Sequence, residues 1–291
     1  MEPAQTVTGS GMATLGKPAA LPPLAGAGRL VTSRRVRYRD WSGTAVTVVM
    51  PTYNEAGNLP GMVAALMALP LPRLRLLIVD DDSPDGTGPL ADRLADRYAT
   101  GTDSPRIEVL HRDGKEGLGR AYEAGMRHAL AAGAPYVLQM DADGSHPATA
   151  VCSLLETAHR SGAGLVVGSR YVRGASLSGG WGVHRRLLSS WGNAYARSIL
   201  RVPLRDLTGG FNLWRADVLR TVGLTAEGGR SLRSAGYAFQ VELKYRAARK
   251  GFEAVEVPIR FGERLRGSSK MSLAVQWEAA LLPWRLLLAG R

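Results

Sequence analysis

Five short apolar runs, each followed by a stretch with helical spacing, organise the first two thirds of the folded chain. AVTVVM (Ala45–Met50) reads as a strand, and a helix follows from about Asn58 to Leu69. LRLLIVD (Leu74–Asp80) is a second strand with a helix over Pro89–Tyr98, and IEVL (Ile107–Leu110) a third with a long helix over Leu118–Ala132. YVLQM (Tyr136–Met140) and GLVVGSR (Gly164–Arg170) are the fourth and fifth, separated by a helix from about Thr149 to Ser161. Runs that are apolar throughout, instead of alternating with polar residues, imply strands covered on both faces. The chain is therefore predicted to be α/β, with a mostly parallel sheet flanked by helices. The C-terminal third is less regular, with helical patterns over Arg186–Leu200 and Tyr237–Lys250 and a strand in EAVEVPI (Glu253–Ile259).

In open parallel sheets ligands bind beyond the carboxyl ends of the strands. The polar clusters fall there: PTYNE after the first strand, DDDSPDGT after the second, DADGSHP after the fourth and GSRYV after the fifth. Four polar loops on one edge make that edge the functional one.

Neither end of the chain continues this pattern. Residues 1–40 are rich in Gly, Ala, Pro, Thr and Ser without periodicity and are expected to form a disordered tail. No apolar run follows a basic start, so no signal peptide is expected. Residues 271–291 end the chain with an amphipathic helix in which Leu273, Trp277, Leu281, Trp284 and Leu288 form one stripe at spacings of three and four. Glu278 and Arg285 interrupt it well short of the roughly 20 apolar residues a membrane span needs. Pro283 is expected to break or kink the helix. Its stripe suits either packing on the domain or a membrane interface, and its tryptophans and basic end favour the interface.

The 291 residues carry 37 Lys+Arg against 25 Asp+Glu, a net charge of +12, which suits nucleic acid, an anionic membrane surface or a phosphorylated ligand. Nucleic acid is not expected as a partner, because no binding motif is present and the aromatics are not interleaved with a basic stripe. The single cysteine, Cys152, excludes an intramolecular disulfide and a cysteine-based zinc site, and reads as a structural thiol.

Asp141 and Asp143 are alternate residues of an extended segment and so address one side together. Two carboxylates suit Mg²⁺ or Mn²⁺, which take oxygen ligands and share them with phosphates. By itself an Asp-x-Asp loop is more often a turn or a helix cap. His146 and Pro147 suit the turn into the next helix, so His146 is read as supporting structure and not as a metal ligand. GLGRAYEAG (Gly117–Gly125) lacks dinucleotide-fingerprint spacing and reads as close helix packing.

The motifs VVMPTYNE, VDDDSPDGT, GLGRAYEAG, MDADGSHP, GSRYVRG, DLTGGFNLWR and FGERLRGSSK occur in this order over about Val46–Lys270. As a set they resemble the family-2 glycosyltransferases of the GT-A fold, and among them the polyprenyl-phosphate (dolichyl-phosphate) mannosyltransferases. The resemblance implies a Rossmann-like GT-A domain over residues 41–270. It also implies metal-dependent, inverting transfer of mannose from GDP-mannose to a polyprenyl phosphate. By the same resemblance Pro51, Tyr53 and Glu55 meet the nucleotide. Asp82 holds the nucleoside, and Asp80 or Asp81 shares that role. Asp141 and Asp143 hold the metal and diphosphate, with Ser145 in the slot of a third ligand that is Gln in some relatives. Arg170, Arg185, Arg264 and Lys270 face the donor diphosphate and acceptor phosphate, and Ser189 and Asp206 lie in matching motifs. The lipid acceptor implies a peripheral enzyme at the cytoplasmic membrane face, reached through the terminal helix, a membrane-anchoring partner protein, or both. Three readings compete: the same chemistry with another donor such as UDP-glucose, a non-catalytic sugar-nucleotide module, and a basic nucleic-acid-binding protein.

Overall fold

The computed structural model describes residues 40–99, 106–177, 183–225, 232–234, 236, 238–262 and 273–289, without the side chains of 183–186, 273–279 and 289. The first 39 residues, Arg264 and Lys270 lie outside the described residues, as does the side chain of Arg185.

The elements run β1 (Ala45–Thr52), α1 (Leu59–Met67), β2 (Arg73–Asp80), α2 (Thr87–Arg97), β3 (Ile107–His111), α3 (Leu118–Ala131), β4 (Tyr136–Gln139), α4 (Ala150–Ser161) and β5 (Leu165–Ser169). They continue β6 (Ser176–Leu177), α5 (Val183–Leu200), β7 (Asn212–Arg215), α6 (Ala216–Thr221), α7 (Phe239–Arg249), β8 (Ala254–Pro258), β9 (Arg260–Phe261) and α8 (Leu273–Ala289). The main sheet has seven strands in the order β3-β2-β1-β4-β7-β5-β8. Only β7 is antiparallel to its neighbours β4 and β5; the other pairs, β1/β2, β2/β3, β1/β4 and β5/β8, are parallel. The expected mostly parallel, helix-flanked sheet is present.

Its strands are apolar on both faces because each face has its own core. Val46, Val48 and Met50 of β1 pack with Leu59, Val63 and Leu66 of α1, and that core extends to α2 and α4. Val49 of the same strand points the other way, into a core with α3, α5, α6, α7 and α8. The two-residue side-chain period of a strand thus assigns successive apolar residues to opposite layers. Gly125 of α3 explains the GLGRAYEAG spacing: a Cβ there would lie 2.5 Å from Val49 Cγ1 and 2.8 Å from Val79 Cγ2. Such contacts are well inside van der Waals separation, so α3 sits on the sheet at a distance only glycine permits.

α8 runs through Pro283 without a break. The proline removes one backbone donor, and its buried ring packs in the row of Leu282 and Leu286, whose burial in the α3–α7 layer holds the helix in place. Tyr195 of α5 donates its hydroxyl to Ala280 O (2.8 Å) and accepts Trp284 Nε1–H (3.0 Å), which ties α8 to α5. Leu281, Trp284 and Leu288 of the predicted stripe face solvent on the opposite side. Among the described residues no helix is long and apolar enough to cross a membrane.

Candidate active site

A cleft of about 230 Å³ opens at the carboxyl ends of β1, β2 and β4, the edge marked by the polar loops. Pro51, Tyr53 and Glu55 line it from the loop after β1. Glu55 N–H donates to Thr87 Oγ1 (2.9 Å) and its carboxylate accepts from Asn58 Nδ2 (2.8 Å), so the loop is anchored to the helix that it precedes and to α2. Gly117, Leu118 and Ala121 bring the N-terminal turn of the 14-residue helix α3 to the cleft, with its unsatisfied N–H groups and partial positive charge. Lys115 stands beside them with Nζ 4.0 Å from the centre of the Tyr53 ring. Carboxylates, a cation and a helix N-terminus around one cleft suit a ligand that carries both phosphates and polar donors.

Three consecutive aspartates after β2 have three different fates. Asp80 is buried and accepts from Thr52 Oγ1 (2.8 Å), Ser83 N (3.1 Å) and Ser83 Oγ (2.7 Å), so it binds the two strand ends together. Asp81 lines the cleft and is held by Arg112 Nη1 at 2.5 Å. Burial pushes its carboxyl up, against the opposing pull of Arg112. Asp82 is exposed, does not line the cleft, and takes a left-handed φ of 56°. Of the three, Asp81 is the one that lines the cleft, because β2 ends at Asp80 as expected and the chain turns at Asp82.

Asp141 and Asp143 both reach the cleft wall just after β4. Asp141 accepts a hydrogen bond from Tyr122 Oη (2.7 Å), a fully buried side chain of α3 stacked on Phe239 (ring centres 5.1 Å, 24°). Asp143 Oδ1 accepts from Ser145 N (3.0 Å) and Ser145 Oγ (2.6 Å). Ser145 is buried, does not line the cleft and donates its hydroxyl to Asp143, so it orients that carboxylate. Asp141 N–H donates to His146 Nδ1 (3.1 Å), which places the imidazole proton on Nε2. That ring is buried between Phe211 and Phe261, and burial holds its pKa below the usual value. His146 is thus a neutral support for the backbone at Asp141. Two carboxylates at a cleft wall match a hard divalent cation that completes its shell with phosphate and water. Among the described residues no group of three His, Cys, Asp or Glu encloses a cation by itself.

A second cluster lies on the far side of His146, within reach of the Asp141 charge. Arg170 donates from Nε (2.8 Å) and Nη2 (2.7 Å) to the two oxygens of Asp206 and from Nη2 to Thr208 Oγ1 (2.9 Å). Burial alone would raise the Asp206 pKa, but Arg170 and then Lys244 outweigh it and hold the carboxyl below the usual range. The Nε–Nη2 edge of Arg170 is therefore already engaged with Asp206 and Thr208. Lys244, fully buried, donates to Asp206 O (2.8 Å) and Gly209 O (2.9 Å), and burial lowers its pKa to about 8. Asn193 of α5 accepts from Leu207 N (2.9 Å) and Thr208 N (3.0 Å), and Ser189 Oγ lies 2.6 Å from Tyr171 Oη. These bonds join α5, the 206–209 turn and the loop after β5 into one wall. Tyr122, Arg112, Lys115, Asn193 and Lys244 escaped the sequence reading; all except Lys115 act by hydrogen bonds across elements, for which a linear pattern holds no signal.

Residues 47–223 match the glycosyl transferase family 2. A polyprenol monophosphomannose synthase from Mycolicibacterium smegmatis is 44% identical over 225 residues, 77% of this chain and 80% of the relative. The chain belongs to glycosyl transferase family 2. It is a glycosyltransferase, and the carboxylate-lined cleft is its candidate catalytic centre. An undecaprenyl-phosphate mannosyltransferase from Micrococcus luteus is 42% identical over 84% of this chain and 95% of its own. Among solved structures a mannosyltransferase from Pyrobaculum calidifontis, in complex with GDP-Man and Mn²⁺, matches with a TM-score of 0.53 at 17% identity, over 84% of this chain and 74% of its own. That likeness establishes the GT-A fold of this family-2 glycosyltransferase.

Proposed function

We propose that this glycosyltransferase moves mannose from GDP-mannose to the phosphate of a polyprenyl phosphate, in one inverting displacement at a membrane surface. The observation that carries the reading is the pair Asp141 and Asp143 at the cleft wall, near the buried Arg170–Asp206 pair, in a chain over 40% identical to two enzymes named for polyprenyl-phosphate mannosyl chemistry. Asp141 and Asp143 would hold Mg²⁺ or Mn²⁺, which when bound neutralises charge developing on the leaving nucleoside diphosphate. Lys115 and the N-terminus of α3, which line the same cleft, bind and orient the same phosphates. Asp81 accepts hydrogen bonds from the base or ribose. Arg170, paired with Asp206, fixes the loop after β5 and adds positive field without contributing its fork.

A polyprenyl phosphate is largely dianionic at neutral pH, since its second pKa should lie near 6, as in phosphoserine. Its oxygen needs no general base, so the protein's task is alignment behind the anomeric carbon and stabilisation of the leaving group. One displacement converts an α-linked donor into a β-linked lipid phosphate sugar.

The lipid acceptor calls for a membrane contact. The six large apolar side chains exposed among the described residues are Leu187, Leu188 and Trp191 of α5 and Leu281, Trp284 and Leu288 of α8. They lie on two helices bonded to each other, on a chain of net charge +12, which favours an anionic lipid surface. In this reading α5 and α8 make the contact in place of an anchoring partner protein.

Thin-layer separation of lipid products tests the proposal. Labelled GDP-mannose and UDP-glucose are each supplied with polyprenyl phosphate, with and without Mg²⁺ or Mn²⁺. A β-mannosyl lipid formed only with GDP-mannose and metal is expected. Glucose transfer, metal-independent transfer or an α-linked product would overturn the corresponding part.

A further inference from the structure

A second concavity, of about 320 Å³, shares no lining residue with the catalytic cleft. It lies between the C-terminal half of α7, the end of α6 and the inner face of α8, where Leu286 lines it. Among the described residues, Arg233, Arg246, Arg249 and Lys250 line it with one carboxylate, Glu242. Glu242 is fully buried and already matched: it accepts from Arg246 Nη2 (2.6 Å) and from the backbone N–H groups of Arg233 (2.9 Å) and Ser234 (3.2 Å). Arg246 also donates from Nη1 to Val222 O (3.0 Å), so one guanidinium is fixed in the wall. Basic residues in the last turn of α7 would be favourable at a helix C-terminus in any case. Arg233, however, comes from a different segment, so the convergence of charge exceeds what capping one helix requires.

The neighbourhood indicates what such a groove is for. Its roof is α8, whose opposite face carries Leu281, Trp284 and Leu288 in solvent. An interfacial helix lies about 5–10 Å into the boundary between headgroups and acyl chains. A helix with its side chains is about 10 Å across, so groups under α8 fall at the level of the lipid phosphates. Arginine binds such phosphates through its planar fork and lysine as a point charge.

We propose that this groove binds the phosphate of an anionic phospholipid headgroup while α8 lies in the interface, orienting the enzyme so that its cleft meets the lipid-borne acceptor. The inference rests on the membrane reading of α5 and α8 given above.

Vesicle co-sedimentation of the full chain at physiological salt tests it, using phosphatidylcholine alone or with about a third phosphatidylglycerol. Each juxtamembrane cation contributes about 1 kcal/mol to binding an anionic surface. R249A/K250A is therefore expected to lose roughly thirty-fold in affinity for the anionic vesicles and to bind neutral ones as before. R93A/R97A removes the same charge from exposed positions of α2, outside the groove, and is expected to change little. Equal losses in the two variants would reduce the effect to net charge and overturn the groove. Retention by R249A/K250A would overturn it as well. W284A/L288A separates the underlying reading: unchanged binding to both vesicles in that variant would refute the membrane role of α8, whatever the arginine variants do. Tight binding of inorganic phosphate at the groove, with no dependence on phosphatidylglycerol, would assign it to a soluble anion and overturn the lipid proposal.

Discussion

At the scale of single residues the candidate centre depends on groups that do not line the cleft. Tyr122 holds Asp141 by one hydrogen bond, and its ring is locked by Phe239. Partners that orient a metal-binding carboxylate typically contribute 10- to 100-fold to activity or metal affinity. Y122F should therefore lower kcat or raise the Mg²⁺ or Mn²⁺ requirement by about that factor while the protein stays folded, as initial rates across a metal titration would read. Asp206 acts through Arg170, whose side chain is 10% exposed against 0% for the carboxylate. D206N leaves a buried guanidinium without its counter-charge and should cost about 3–5 kcal/mol in urea unfolding at neutral pH. The sign of the pH effect follows from the lowered Asp206 pKa. The unfolded chain binds more protons near pH 4, so this stabilisation is complete above the ordinary carboxyl range and is lost as pH falls through the folded value. Acidification should erase the difference between D206N and the parent; a constant gap would refute the pairing. Asp141 and Asp143 were legible as a pair from their spacing alone, whereas three adjacent aspartates gave no means of choosing Asp81. Only the end of β2 and the bonds to Thr52, Ser83 and Arg112 separate them.

At the scale of elements the apolar runs β1, β2, β4 and β5 were visible because they are largely buried on two faces and read as blocks, whereas β3 and β8, the half-buried edge strands, were visible as short β-branched runs. β7 was not, since four residues inside DLTGGFNLWR make no periodic signal. Its place is fixed by long-range bonds: Trp214 Nε1 donates to Gln139 Oε1 at 2.6 Å and Asn212 Nδ2 to the same oxygen at 3.0 Å. The two-residue strands β6 and β9 and the six-residue α6 escaped for the same reason of length. Where packing leaves a mark in composition, as at Gly125, the sequence does carry it. G125A drives a methyl group into Val49 and Val79, both in the sheet under the cleft, and overpacking of this kind costs about 1–3 kcal/mol. A matching fall in urea midpoint with an unchanged slope is the expected result. A neutral effect would mean that α3 can lift from the sheet, and activity should then fall, because the same helix carries Tyr122 and the N-terminus facing the cleft.

At the scale of the whole molecule the sheet carries a polar edge and an exposed apolar helix pair, which the proposed function assigns to the donor and to the acceptor's membrane. Trp284 is 53% exposed and Leu288 71%, yet the helix they occupy is anchored by Leu282 and Leu286 in the core. Removing the two outer side chains therefore leaves the Leu282–Leu286 anchor and the Tyr195–Ala280 bond in place and takes away exposed apolar surface together with the single Trp284–Tyr195 bond. Burying a large apolar side chain contributes about 1.5–3 kcal/mol when complete, and part of that in an interface. W284A/L288A should lose roughly ten- to hundred-fold in transfer to a long-chain polyprenyl phosphate in vesicles. With a short, water-dispersed isoprenyl phosphate the rate should match the parent, because cleft, carboxylates and arginine wall are untouched. Parallel loss on both acceptors would place these residues in the fold or the site instead of the membrane contact. Raising salt distinguishes the two attractions within that contact. Screening weakens the pull of a +12 chain on anionic vesicles, whereas binding through Leu281, Trp284 and Leu288 to neutral ones persists.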